Sequence, residues 1–374
     1  MMTRRENYTR ILKKEKGERL PFALNIDHWL AVNRANNTLP EEYRDMSRND
    51  IIRAVGGTIW ARTSTIRQEF DDQVKVTCKE TKNCLITDYK TPIGAVQIVQ
   101  RYAEDLSRAL FVTEHWIKRV EDIKVVKFIA EHTHYSLDSE QFLQSEKEVG
   151  EDGVSLTGLP FCLPYIQFGK NDTGWEKGIY FFADYPREVE DLMEVYTQKN
   201  LEAASLIASG PELVVNHGDN MDEWTTPPGI FKKYAIPYYR KIAEVLHRGG
   251  KIFEVHWCGR TEHLLQFVPE CDIDVVEAVL VKPMSTLTIP EALDRVGDNV
   301  VIQGGIPSVL LCEQGGSRKD LENYVRDLLS RVPHGYRFVM GMSDNTPPDA
   351  DFERVKMTAE IVADGGEGET RCDE

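Results

Sequence analysis

Eight short apolar runs recur along the chain, most ending in polar residues or glycine and separated by stretches of helical period. They are Pro21–Asp27, Gly56–Arg62, Val154–Pro160, Glu212–Asp219, Lys251–Gly259, Ile273–Glu277, Asn299–Gly305 and Tyr336–Gly341. Parallel strands joined by helices are buried on both faces, and eight such units close into a barrel. The expected fold is therefore α/β, a single (β/α)8 TIM barrel spanning residues 1–363. An open doubly wound sheet is the rival, weakened because no Gly-x-Gly-x-x-Gly turn follows an early strand. Between the second and third runs, turn signals at Lys82-Asn83 and Thr91-Pro-Ile-Gly94 punctuate a strand-rich stretch. They predict a β-meander inserted after the second strand, at about residues 70–102. Helices are expected at Asn7–Lys16 and Leu39–Val55, a long loop at Phe161–Trp175, and a disordered tail at 364–374.

In such a barrel the strand C-termini meet at one mouth, where chemistry is built. The run Lys251-Ile-Phe-Glu-Val-His-Trp-Cys-Gly259 is the most informative. Side chains alternate along a strand, so Ile252, Glu254, His256 and Cys258 share one face, while Phe253, Val255 and Trp257 turn to the covering helices. A lone buried histidine or cysteine is ordinarily a packing residue. The trio on one face is different, because burying a carboxylate beside an imidazole costs energy unless something compensates.

His-x-Cys on a strand suits zinc, provided that neighbouring strand ends supply the remaining ligands. Asp219, Glu277 and Asp344 lie in suitable places. Each has a duller reading: Asp219 as a loop cap, and Asp344-Asn-Thr-Pro347 as a turn before a helix. Glu277 stands between Val275-Val276 and Ala278-Val279, which argues against a surface position. One sulfur, one nitrogen and one oxygen would form an open, catalytic site. Asp27, Trp60, His217 and Asn220 sit at other strand ends and are candidates for substrate contact. Arg62 is delivered to the same mouth.

A net charge of -16 argues against nucleic acid or an anionic membrane as partner. Seven cysteines, an odd number without regular spacing, begin no disulfide framework. No apolar run is long enough to span a bilayer, and the first residues lead into a charged helix, so a cytoplasmic location is expected.

The ordered series Thr91-Pro-Ile-Gly94, His217-Gly-Asp-Asn220, His256-Trp-Cys-Gly259, Gly304-Gly-Ile306 and Asn345-Thr-Pro347 resembles the uroporphyrinogen decarboxylase superfamily. The likeness runs from about residue 5 to 363 and includes the branch of zinc-dependent methyltransferases that exchange methyl groups with corrinoid proteins. That branch implies His256 and Cys258 as zinc ligands. Its third cysteine, expected after the last strand, is missing around Gly341-Met-Ser-Asp-Asn-Thr-Pro347, which leaves Glu277 or Asp344 to complete the set. The arginine-rich stretch with which porphyrinogen decarboxylases hold substrate carboxylates is also missing; the region reads Ala23-Leu-Asn-Ile-Asp-His-Trp29.

The resemblance thus implies methyl transfer between a small donor, such as a methoxylated aromatic, and a corrinoid. No Asp-x-His-x-x-Gly corrinoid signature is present, so that cofactor would arrive on a separate corrinoid-binding protein. Asp219 or Glu254 would supply a proton. The alternatives are a metal-independent decarboxylase and a barrel that binds without turnover.

Overall fold

A computed structural model describes residues 1–104 and 109–365. Its central sheet has eight strands: β1 (Phe22–Ala23), β2 (Ile59–Arg62), β3 (Gly153–Gly158), β4 (Val214–His217), β5 (Ile252–His256), β6 (Val275–Val279), β7 (Val301–Ile306) and β8 (Phe338–Met342). All are parallel and follow one another around the sheet, and β1 also pairs with β8. A parallel bridge from Ala23 to Thr58 joins β1 to the start of β2 and closes the ring. The expected (β/α)8 barrel is the observed fold.

The barrel interior changes character along its axis. Ala23, Trp60, Val154, Val214, Ile252, Val275, Val301 and Val339 form an apolar floor. The Arg4–Leu12 helix closes that floor from below with Tyr8, Ile11 and Leu12, spaced i, i+3, i+4 on one face. One step up the same strands the inward residues become polar: Asn216, Glu254, Glu277 and Gln303, all buried. Tyr8 bridges the two zones, its hydroxyl donating to Gln303 at 2.6 Å. Outside the ring, Phe253, Val255, Trp257 and Val276 pack into the main core beneath the helices.

Some element boundaries differ from expectation. The first helix begins three residues early, because Thr3 and Glu6 form a capping box that sets its start. Asp27, read as a strand-end group, opens a helix, Asp27–Asn36. The inserted antiparallel sheet runs from Lys75 to Glu114, past residue 102. A further strand, Thr133–Leu137, pairs with Ile66–Phe70 and went unforeseen. The Phe161–Trp175 loop is instead helical in part: a π-helix, Gln167–Asp172, follows one short turn. Its prolines and glycines masked that helix.

Within this segment Asp172 is buried and accepts hydrogen bonds from Trp116, Gln167 and Tyr196. Burial pushes its carboxyl up to about 7 against those three donors. Most of the tail expectation, from residue 366 on, lies outside the described residues. Among the described residues no helix is long and apolar enough to cross a membrane.

Candidate metal centre

Residues of β5 climb from the floor to the mouth in steps of two: Ile252, Glu254, His256, and then Cys258 just past the strand. In the parallel register His256 lies beside Glu277 of β6, and His256 Nδ1 is hydrogen-bonded to a Glu277 carboxylate oxygen. With Nδ1 engaged by the carboxylate, Nε2 is the ring nitrogen turned toward the mouth, and it offers an electron pair when it carries no proton. Nε2 faces Asp344 Oδ1 at 3.8 Å. Asp344 follows β8, where Asn25 donates to its main-chain oxygen at 3.0 Å and Asn345 to its carboxylate at 3.1 Å.

One ligand atom from each of His256, Cys258 and Asp344 can be chosen so that all three lie within 4.8 Å of one another. Sulfur, nitrogen and oxygen donors so disposed fit a zinc ion and leave a position for a further group. Glu277 sits on the far side of the imidazole. The two carboxylates left open by the sequence therefore separate: Asp344 lies in the candidate cluster, and Glu277 is bonded to the opposite nitrogen of His256, an arrangement common behind metal-bound histidine.

Bound at Nε2, a metal ion would compete with a proton, because the groups around His256 favour its charged form. Burial disfavours a charge on His256, but Glu277 and Cys258 outweigh it and hold the imidazole well above its ordinary value. Burial, followed by the charge of Glu277, pushes the Glu254 carboxyl up to about 8 although Asn216 opposes. Asn216 donates to one of the Glu254 oxygens at 2.7 Å, and the other has no partner among the described residues. Asp344 is also raised, chiefly by burial.

The remaining candidates fall elsewhere. His217 has the opposite parity to Asn216 and points outward, its Nε2 bonded to Tyr238 at 2.6 Å and its Nδ1 lying 2.8 Å from an Asp219 oxygen. Asp219 also accepts from the Leu163 amide and the Tyr239 hydroxyl, both at 2.6 Å. Both side chains belong to the layer between β4 and the Ile236–Arg248 helix, away from the cluster. Asn220 contributes through its backbone: at a φ of 50° its amide donates to the His256 carbonyl at 3.0 Å. Asp27 is held by Arg48, whose guanidinium also donates to the Trp60 carbonyl. Trp60 is 1% exposed and belongs to the floor, below any open pocket.

Asn216 and Gln303 are site neighbours that sequence reasoning passed over. Alternation does not single them out, because Val214 and Val215 before Asn216, and Val301 and Ile302 before Gln303, are apolar on both faces.

A search of curated proteins gives no match. The family model described as Uroporphyrinogen decarboxylase (URO-D) matches residues 108–364, well over half of the chain. Among solved structures, a methyltransferase from Methanosarcina mazei superposes with a TM-score of 0.61 at 13% identity, covering 97% of this chain and 99% of that one. It shares the fold. A second structure, from work on the pneumococcal virulence factor StrH and N-glycan recognition, reaches a TM-score of only 0.40 at 8% identity, over 96% and 85% of the two chains.

Proposed function

Since the chain belongs to the uroporphyrinogen decarboxylase family, we propose that this enzyme is a zinc-dependent methyltransferase. It moves a methyl group between a small donor, such as a methoxylated aromatic, and a corrinoid held by a partner protein in the cytoplasm. The observation that carries this reading is the convergence of His256, Cys258 and Asp344 on one point of the barrel mouth. A zinc ion held there would supply Lewis acidity to the oxygen or sulfur that bears or receives the methyl group. The structural likeness to a methyltransferase from Methanosarcina mazei is in keeping with it.

The chain's own residues have separable tasks. When a methyl carbon leaves an ether oxygen, the bonding electrons stay on oxygen, which then needs a proton or a cation. The acceptor provides the electron pair for the new bond. Glu254 lies one step below His256 on the same face and has a buried oxygen without a partner among the described residues, and on this reading it acts as the acid. Glu277 fixes the ring of His256, and the apolar floor keeps water from entering below.

The test is a screen of methoxylated aromatics, methylamines and methylthiols, with free cob(I)alamin standing in for the partner. Methylation of the corrinoid supports the reading. Release of carbon dioxide from an acid substrate, without methyl transfer, would replace it with a decarboxylase.

A further inference from the structure

Arg62 ends β2 at the mouth, two residues above Trp60, and its guanidinium lies 4.4 Å over the Trp60 ring. The ring packs against the guanidinium but accepts no conventional hydrogen bond from its N–H groups. Among the described residues no acceptor lies within hydrogen-bonding distance of them. The carboxylates that share the mouth are otherwise engaged: Glu254 with Asn216 at 2.7 Å, Asp344 with Asn345 at 3.1 Å. Were Arg62 present only to neutralise Glu254, an ion pair between them would be expected, yet the second Glu254 oxygen is buried without a partner. Arg62 is exposed to solvent at the end of its strand.

We propose that Arg62 selects the substrate: the small molecule taken at the mouth carries a carboxylate, which pairs with the Arg62 guanidinium while its reactive end meets the His256, Cys258 and Asp344 cluster. The planar fork of arginine matches a carboxylate with two parallel charge-assisted bonds. A neutral donor of the same shape leaves those bonds unmade. The identity of the reactive end rests on the methyltransferase reading; the carboxylate pairing does not.

Two measurements keep these apart. The first is calorimetric binding of 4-methoxybenzoate and its amide, 4-methoxybenzamide, to the wild-type protein, Arg62→Gln and Arg62→Lys. Tighter binding of the carboxylate by about tenfold or more, lost in Arg62→Gln and partly kept in Arg62→Lys, is the expected result. The second is methyl transfer from the same pair to cob(I)alamin, where the preference in kcat/KM should collapse in Arg62→Gln. Carboxylate binding that depends on Arg62 with no methyl transfer from either donor would remove the methyltransferase reading and leave the selection intact. Equal binding of acid and amide, or a preference unchanged in Arg62→Gln, overturns the inference.

Discussion

Glu277 and Asp344 both carry a carboxylate close to His256, but on opposite nitrogens of the ring, and replacing each should have different consequences. Asp344→Asn and Cys258→Ala remove ligands. Both variants are expected to lose tightly held zinc by elemental analysis while remaining folded by circular dichroism. Glu277→Gln keeps a hydrogen-bond acceptor but loses the charge that favours the correct tautomer. It should retain metal with an affinity reduced about 10–100-fold, read by competition with a chelator. Asp219 behaves in the opposite sense, because its buried oxygens accept from the Leu163 amide and the Tyr239 hydroxyl and lie 2.8 Å from His217. Asp219→Asn turns acceptors toward donors less well and should cost about 3 kcal/mol in urea unfolding, with turnover per folded molecule kept. Lost turnover at unchanged stability would return Asp219 to a role in the chemistry.

Among the elements, the Arg4–Leu12 helix acts as the stopper of the barrel, and Tyr8 ties it to the upper layer through Gln303. Tyr8→Phe leaves that buried acceptor unsatisfied and is expected to lower stability by about 1–3 kcal/mol, measured by chemical unfolding. The eight strands were legible because each is an apolar run closed by turn residues, and parallel barrel strands need little else. The helices were less so. Asp27–Asn36 has no side-chain cap to announce it, and the π-helix at Gln167–Asp172 sits among residues that usually signal a loop. The site was legible where parity could be read. In β5 the chemical groups occupy one alternation and large apolar groups the other. In β4, Val214 and Val215 are both apolar, so nothing in the sequence says that Asn216 faces inward and His217 outward. Strand-end polarity alone then placed His217 and Asp219 in the site, whereas packing against Tyr238 and Tyr239 puts them outside it.

The molecule as a whole is tied together at its base by Asp274, which accepts from Lys14 at 2.6 Å, His247 at 2.7 Å and the Phe253 amide at 2.8 Å. Burial opposes the Asp274 charge, but these donors outweigh it and hold the carboxyl below its ordinary value. The bond to Asp274 raises His247. The raised His247 contributes stability that is complete below its unfolded pKa, about 6.5, and is lost as pH rises through the folded value. The lowered Asp274 contributes stability that is complete above its unfolded pKa, about 3.9, and is lost as pH falls through the folded value. Both contributions are present from about pH 4 to 6.5. Replacing His247 with Gln should therefore flatten the alkaline decline in the thermal midpoint relative to the wild-type protein.

On the proposed reading the barrel mouth holds a zinc ion through His256, Cys258 and Asp344 and uses it to activate a methyl group. The direct measurement is methyl transfer to cob(I)alamin from a donor found in the screen, with chelated protein titrated back with zinc. The rate should rise in proportion to bound zinc and level off at about one ion per chain, with Cys258→Ala inactive throughout. Full-rate transfer by metal-free protein, or by zinc-treated Cys258→Ala, would contradict the account.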